Sequence, residues 1–260
     1  MDLGLRGRWV VITGASQGIG AGAAEAFAAE GCNLHLAARN AEALDEIAAR
    51  LGQTYGIEAR THPMDLTAPN AVEALSAAVG EVDVLLNNAG VIPGGNLDIV
   101  DAIAWREGLK LKVDIYIDLT REIYAAMRDR GRGVIINNIG NAGERFDADY
   151  IAGTTGNAAL MAFTRALGGR SLDHGIRVVG VNPGPVDTDR IQKLLRQRAK
   201  EWFEDEDRWP ELQDRYPLNR AATVGEVVDL MVFLASDRSG YTSGTIITVD
   251  GGITSRNSII

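Results

Sequence analysis

A single doubly wound domain, a parallel α/β sheet with helices on both faces, is the fold class the sequence predicts, and three observations carry the prediction. Short β-rich runs alternate with longer segments of helical period, which implies strands joined by crossover helices. Several of the runs are apolar throughout, as burial on both faces requires. The 260 residues suit one hydrophobic core, and no linker interrupts them: the seven prolines are scattered, and the 30 glycines punctuate periodic segments.

In chain order the runs are WVVIT at 9 to 13, NLHLAA at 33 to 38, IEARTHP at 57 to 63, VDVLL at 82 to 86, GVIINNI at 133 to 139, IRVVGV at 176 to 181 and TIITV at 245 to 249. They make about seven strands, of which the third is the least apolar. Between them lie Ala-rich helical segments such as AGAAEAFAAE and AEALDEIAARL. Gly31 and Gly175 stand where C′ glycines relieve left-handed backbone. Further helices are predicted from Trp105 to Arg130 and from Tyr150 to Leu172. After Thr188, the apolar residues Ile191, Leu194, Leu195, Ala199, Trp202 and Phe203 recur at helical spacing.

Composition narrows the function. With 46% hydrophobic and 23% charged residues the chain reads as an ordinary globular protein. A net charge of −9 argues against nucleic acid, whose phosphates demand a basic footprint. Cys32 is the lone cysteine, and no Cys/His group has metal-ligand spacing, so no metal is expected. The N-terminal MDLGLRGRWVVITG lacks a basic region followed by an apolar stretch, and no run approaches the ~20 apolar residues of a membrane span. The expectation is a cytoplasmic, unprocessed protein.

The first strand runs into Thr13-Gly14-Ala15-Ser16-Gln17-Gly18-Ile19-Gly20, which opens directly into a helix. Glycines there let backbone approach a pyrophosphate, and free N–H groups at the helix N-terminus favour its charge. Arg39, at the end of the second strand and 25 positions past Gly14, completes the context of a dinucleotide site. The same residues also match the G-x-S-x-G elbow of a hydrolase. Position counts against that rival, because the elbow follows the first strand and His174, at a helix end, is the only late histidine. His35 and His62 read as structural residues of strands.

Together these residues resemble the short-chain dehydrogenase/reductase family over essentially the whole chain. TGASQGIG is similar to its TGxxxGIG loop, Asn87-Asn88-Ala89-Gly90 to its NNAG motif, and Asn182 through Thr188 to its segment after the sixth strand. Asp65-Leu66 resembles its adenine contact, and Arg220 through Gly252 its C-terminal helix and strand. The resemblance implies a Rossmann-like sheet in the order 3-2-1-4-5-6-7, a nicotinamide cofactor and a homotetramer or homodimer. It carries cofactor contacts onto Gly14, Ser16, Gln17, Gly18, Ile19, Gly20, Arg39, Asp65, Leu66, Asn87, Ala89, Gly90, Pro183, Gly184, Val186 and Thr188. At the end of the second strand, Ala37-Ala38-Arg39-Asn40 has no carboxylate for a ribose 2′-hydroxyl, whereas a guanidinium can pair with a 2′-phosphate. NADP(H) is therefore expected over NAD(H).

The family's catalytic Asn, Ser, Tyr and Lys are met only in part. Tyr150 fits the tyrosine, Thr154 stands at the lysine position, Gly140 where the serine belongs and Lys112 at the asparagine. The stretch from Gly140 to Tyr150 is also shorter than the family's. Asn138 and Asn141 are the nearest side chains to replace the serine hydroxyl. A helical lysine belongs by default to a solvated face. Lys112 nevertheless stands on the expected pocket wall, and it is the candidate to replace the lost lysine beside Tyr150. The expected function is oxidoreduction of a small carbonyl/alcohol pair; the alternative is a catalytically impaired NADP(H)-binding protein with a regulatory or assembly role. Residues 189 to 216 are expected to form a helical substrate lid, with Trp202, Phe203 and Trp209 either lining the pocket or packing into a core.

Overall fold

The structure, a computed structural model, describes residues 2–256. Seven parallel strands form one sheet in the order β3-β2-β1-β4-β5-β6-β7: β1 Trp9–Thr13, β2 Asn33–Ala38, β3 Ala59–Pro63, β4 Val84–Asn87, β5 Gly133–Asn138, β6 Ile176–Pro183 and β7 Ile246–Val249. This is the predicted order, with β3 and β4 each starting two residues later and β6 extended to Pro183. Side chains alternate between two cores, as the pleat dictates. Val10, Ile12, Leu34 and Leu36 face one core, formed with α1 (Gly18–Ala29), α2 (Ala41–Tyr55) and α8 (Val224–Ala235). Val11, Leu85, Ile135 and Val178 face the other, with α3 (Ala71–Val79) and α5 (Ile115–Arg130). The helix α6 (Ile151–Ser171) packs beside α5 through Leu160 and Met161 on Tyr116 and Ile139.

Gly31 and Gly175 adopt φ of +77° and +69°, the left-handed conformations their C′ positions call for. The predicted helix from Trp105 is interrupted. An α-helix, α4 (Ala102–Leu109), passes into a π-turn at Lys110–Asp114, closed by the Ile115 N–H on the Lys110 carbonyl, before α5 begins. Such a turn inserts one extra residue and redirects its side chains. Here it turns Lys112 inward. Among the described residues, no helix is long and apolar enough to cross a membrane.

Candidate active site

In a sheet of this order the ligand crevice opens between the carboxyl ends of β1 and β4, where the winding reverses. Thr13 ties the two ends together: its Oγ1 accepts from the backbone N–H of Asn88 at 2.9 Å and of Ala89 at 3.0 Å. Asn88 Nδ2 donates in turn to the Thr13 and Gly14 carbonyls, at 2.9 and 3.3 Å. The loop then demands glycine. Gly14 has φ +67°, and a Cβ there would lie 2.9 Å from Ala89 Cα; at Gly20 one would lie 2.1 Å from the Gly14 carbonyl oxygen. Gln17, the N-cap of α1, makes no side-chain capping bond, so the first-turn N–H groups stay free for phosphate oxygens. From the other side, the Thr188 methyl comes within 3.4 Å of a Cβ built on Gly18. A bare-backbone cradle with free donors fits the pyrophosphate of a dinucleotide.

The remaining cofactor candidates border this cradle, with one exception. Ser16 is half-buried and Ile19 packs on the core under α1. Pro183 ends β6 beside Val249, the Gly184 N–H donates to the Val249 carbonyl, and buried Val186 bridges to Ala222. Arg39 is exposed at the end of β2 and forms no ion pair among the described residues. Nearby Asp65 is held below the usual carboxylate range, chiefly by hydrogen bonds from the Thr67 backbone N–H and hydroxyl and in part by the Arg39 charge. Leu66 is buried behind it.

Asn87 is the exception. Its side chain is fully buried, and Nδ2 donates to Thr120 Oγ1 at 3.0 Å and Asn137 Oδ1 at 2.9 Å. Asn137 Nδ2 continues to Thr164 Oγ1 at 2.9 Å. Asn87 therefore belongs to a polar chain that staples the sheet to α5 and α6. Any contact of Asn87 with a cofactor is therefore left to its backbone at the end of β4.

At the other end of the crevice lies Lys112, only 8% exposed. Its Nζ donates to the Asn138 carbonyl at 2.6 Å and to Tyr116 Oη at 3.2 Å, while the Tyr116 hydroxyl donates to the same carbonyl at 3.1 Å. Its stem lies on Gly90, where a Cβ would come 2.7 Å from Cδ. Among the described residues no carboxylate pairs with it. Burial first, and the Arg190 charge second, push the ammonium down to about 7.

Tyr150 is the N-cap residue of α6, anchored by a parallel bridge to Gly95. Its ring folds back over the first turn, so that a Cβ on Gly153 would meet ring atoms Cε1 and Cζ at 2.0 and 2.1 Å. The phenol thus occupies the space of a side chain three residues later on the helix, against the cluster of Ile92, Val100 and Ala152. Thr154, which the motif alignment places at the lysine position, does not join it. Its hydroxyl donates to the Asp147 carbonyl and accepts from the Asp147 N–H, both at 3.3 Å, within the preceding loop.

One residue escaped sequence reasoning. Asn157, buried at 4% exposure, sits four residues after Gly153 and aims its carboxamide at Gly140, whose Cβ would lie 2.9 Å from Nδ2. Its Oδ1 has no partner among the described residues. Of the two side chains considered for the missing hydroxyl, Asn141 is drawn away to Asp250 at 3.1 Å, and Asn138 Nδ2 is held by Asn88 Oδ1 at 2.7 Å. Asn157 is the carboxamide beside the vacant glycine. In the sequence it stands four residues after Gly153 on the stripe that carries Gly156, Leu160 and Thr164.

The segment after Thr188 forms α7 (Asp189–Phe203) and a 3₁₀ stretch at Glu206–Arg215 that packs back on it. Leu195, Ala199 and Leu212 make a small core of their own, bordered by Ile191, Phe203 and Trp209. Core packing therefore accounts for Phe203 and Trp209. Trp202 is 53% exposed, with Arg198 and Arg215 over its ring, and takes no part in that small core.

A family model described as Enoyl-(Acyl carrier protein) reductase matches residues 14–254. The chain is 32% identical, over 95% of its length and 80% of the relative's, to a 2-keto-3-deoxy-L-fuconate dehydrogenase of Xanthomonas campestris pv. campestris. It is 34% identical, over 96% of both chains, to a galactitol 2-dehydrogenase (L-tagatose-forming) of Cereibacter sphaeroides. The chain belongs to the short-chain dehydrogenase/reductase family. Among solved structures, L-sorbose reductase from Gluconobacter frateurii, complexed with NADPH and L-sorbose, superposes with a TM-score of 0.92 at 32% identity, covering 99% of this chain and 100% of that one. This short-chain dehydrogenase/reductase is thus an oxidoreductase by family, on the family's single seven-stranded domain.

Proposed function

We propose that this short-chain dehydrogenase/reductase depends on NADP(H) and interconverts a ketone and an alcohol on a small polyhydroxylated molecule, with Tyr150 as proton donor and acceptor and Lys112 as its supporting amine. The observation that carries the reading is the buried Lys112 ammonium, without a carboxylate partner among the described residues, at the inner end of a crevice whose outer end is a phosphate cradle. Bound NADP(H) supplies the hydride in reduction and receives it in oxidation. The Tyr150 hydroxyl gives its proton to the carbonyl oxygen in one direction and takes it back in the other. Lys112 exchanges protons near neutral pH, where a phenol of ordinary pKa is a poor shuttle. Two of its donor positions are held by Asn138 and Tyr116, leaving the third for the crevice.

The substrate class follows the relatives, whose names cover a keto-deoxy sugar acid, a hexitol and a ketose. A panel of ketoses, polyols and sugar acids followed at the nicotinamide absorbance tests the reading. Tyr150→Phe is expected to lose about 10²-fold to 10⁴-fold in turnover. Tight NADPH binding with no turnover on any compound would instead support the impaired nucleotide-binding protein.

Arg39 supports NADP(H), since it is exposed at the end of β2 and forms no ion pair among the described residues, which leaves its guanidinium free to meet a 2′-phosphate. Calorimetry is expected to show NADPH binding at least about tenfold more tightly than NADH, with Arg39→Ala removing the difference. Equal affinity in the wild type would reject the assignment. Assembly as a homodimer or homotetramer is supported by the outer groove between α5 and α6, lined by Ile117, Tyr124, Phe163 and Leu167. Light scattering at micromolar concentration is expected to report at least a dimer, and a stable monomer would overturn this. A cytoplasmic setting is in keeping with buried Cys32, whose thiol burial pushes up to about 12, leaving it inert.

A further inference from the structure

Reduction of a carbonyl gathers negative charge on one oxygen, and each donor aimed at that oxygen lowers the barrier. The Tyr150 hydroxyl is one donor. A second polar group at the crevice is left unused by the packed fold. Asn157 on α6 is 4% exposed, and neither polar atom of its carboxamide meets a hydrogen-bond partner among the described residues. Every other buried polar side chain among them takes part in at least one hydrogen bond, including those of Asn87, Asn137, Asn138 and Asn182. A buried amide without partners costs stability, so its presence calls for a reason outside packing.

The group is held firmly in place. At its base α6 packs so closely on the turn at Asn141–Gly143 that a Cβ on Gly143 would lie 2.8 Å from the Asn157 carbonyl carbon. Its Nδ2 is turned to Gly140, just past the carboxyl end of β5, where a Cβ would lie 2.9 Å away. Gly140 is half-buried with φ of +133°, a conformation that favours glycine, so no side chain of that residue screens the carboxamide from the crevice. Both partners of the proposed proton transfer are adjacent. The Asn138 carbonyl, two residues before Gly140, holds Lys112 Nζ at 2.6 Å. The Tyr150 ring covers Gly153, one turn before Asn157 on the same face of α6, and Cζ, which carries the hydroxyl, lies 2.1 Å from the Cβ position there.

We propose that Asn157 is a catalytic residue, whose Nδ2 donates to the reacting oxygen of the substrate beside the Tyr150 hydroxyl. This deepens the function proposed above and rests on it. As hydride reaches the carbonyl carbon, the π pair of the C=O bond moves onto oxygen, and the Tyr150 proton follows it. Asn157 keeps its own protons and holds the oxygen throughout. Its hydrogen bond strengthens as charge develops, so it favours the transition state over the bound ketone.

The test uses the full chain. NADPH oxidation by five- and six-carbon ketoses, L-sorbose and L-tagatose among them, is followed for the wild type, Asn157→Leu and Asn157→Ala, beside urea unfolding of each. Both variants are expected to lose about 10²-fold to 10³-fold in kcat, with KM changed by less than about threefold. The pH profile is expected to keep its wild-type form, since a carboxamide does not titrate. Stability should move in opposite senses: leucine fills the space and removes the unpaired amide, raising the unfolding midpoint, whereas alanine leaves a cavity and lowers it. Equal losses of turnover from opposite shifts in stability are what a lost donor requires. The inference is overturned if either variant keeps kcat within about threefold of the wild type, or if turnover falls only where stability falls. It is equally overturned if the pH profile moves, since Asn157 then acts through Lys112. A wild type that oxidises NADPH with none of the ketoses overturns the functional reading and this inference with it, whereas wild-type turnover that survives Asn157→Leu overturns the inference alone.

Discussion

Lys112→Met is expected to abolish turnover while making the protein harder to unfold. The two effects share one cause. A buried ammonium with no carboxylate partner among the described residues costs folding free energy, and the same burial lowers its pKa to about 7, where the proposed mechanism has it serve the Tyr150 phenol. Methionine keeps the length of the stem on Gly90 and removes the charge. Turnover should fall at least about a hundredfold, the usual scale for losing a group in proton transfer.

The stability gain should depend on pH, with a definite sign. The folded pKa lies below the ordinary 10.5, so between about pH 7 and pH 10.5 the unfolded chain holds a proton that the folded chain has released. Wild-type stability from this group therefore rises with pH across that window, and its burial penalty is fully present below pH 7. The advantage of Lys112→Met should be largest at pH 6 and smaller by about 2 kcal/mol at pH 9. Urea unfolding of both proteins at the two pH values measures it. An equal advantage at both, or a loss of stability, would show that Lys112 is not held as a buried, depressed amine.

Gly153→Ala is expected to disable the enzyme about as fully as removing the phenol hydroxyl. A Cβ at 153 would lie 2.0 Å from Tyr150 Cε1, so the ring must leave the first turn of α6. The helix itself gains from the substitution, since glycine inside a helix costs roughly 0.5 to 1 kcal/mol relative to alanine. The expected outcome is a fold of equal or greater stability with turnover reduced about 10²-fold. Full activity in Gly153→Ala would mean that the ring position over Gly153 is irrelevant to the chemistry. Parallel losses of activity and thermal stability would point to a packing defect instead.

The sheet and the outer half of the site were legible in the sequence because both are local. WVVIT, NLHLAA and GVIINN carry the period-2 or fully apolar character of strands between two layers, and the observed bounds of these three differ from the predicted ones by at most one residue. The Gly14 to Gly20 loop declares itself because only glycine allows backbone that close to Ala89 and to the Gly14 carbonyl. Gly31 and Gly175 mark helix ends through left-handed backbone that few other residues tolerate. Arg39 and Lys112 were named from position alone.

What the tertiary structure decided is where side chains go when several elements compete for them. A π-turn, invisible to a 3.6-residue periodicity, turned Lys112 from a nominally solvated face into the core beneath Asn138. Tyr150 folds its ring back from a cap onto a glycine three residues later, while Thr154, at the motif's lysine position, turns to the Asp147 loop. The Asn87 amide nitrogen was drawn to Thr120 and Asn137 between the packed layers, which no local window of the sequence contains. The apolar stripe of α7 was claimed by its own 3₁₀ neighbour. Sequence by itself thus determined the backbone scaffold and the types of residue at the crevice, through local conformational preference and hydrophobic period. Which of them converge there was decided by long-range packing and the satisfaction of buried polar groups, which no local window contains.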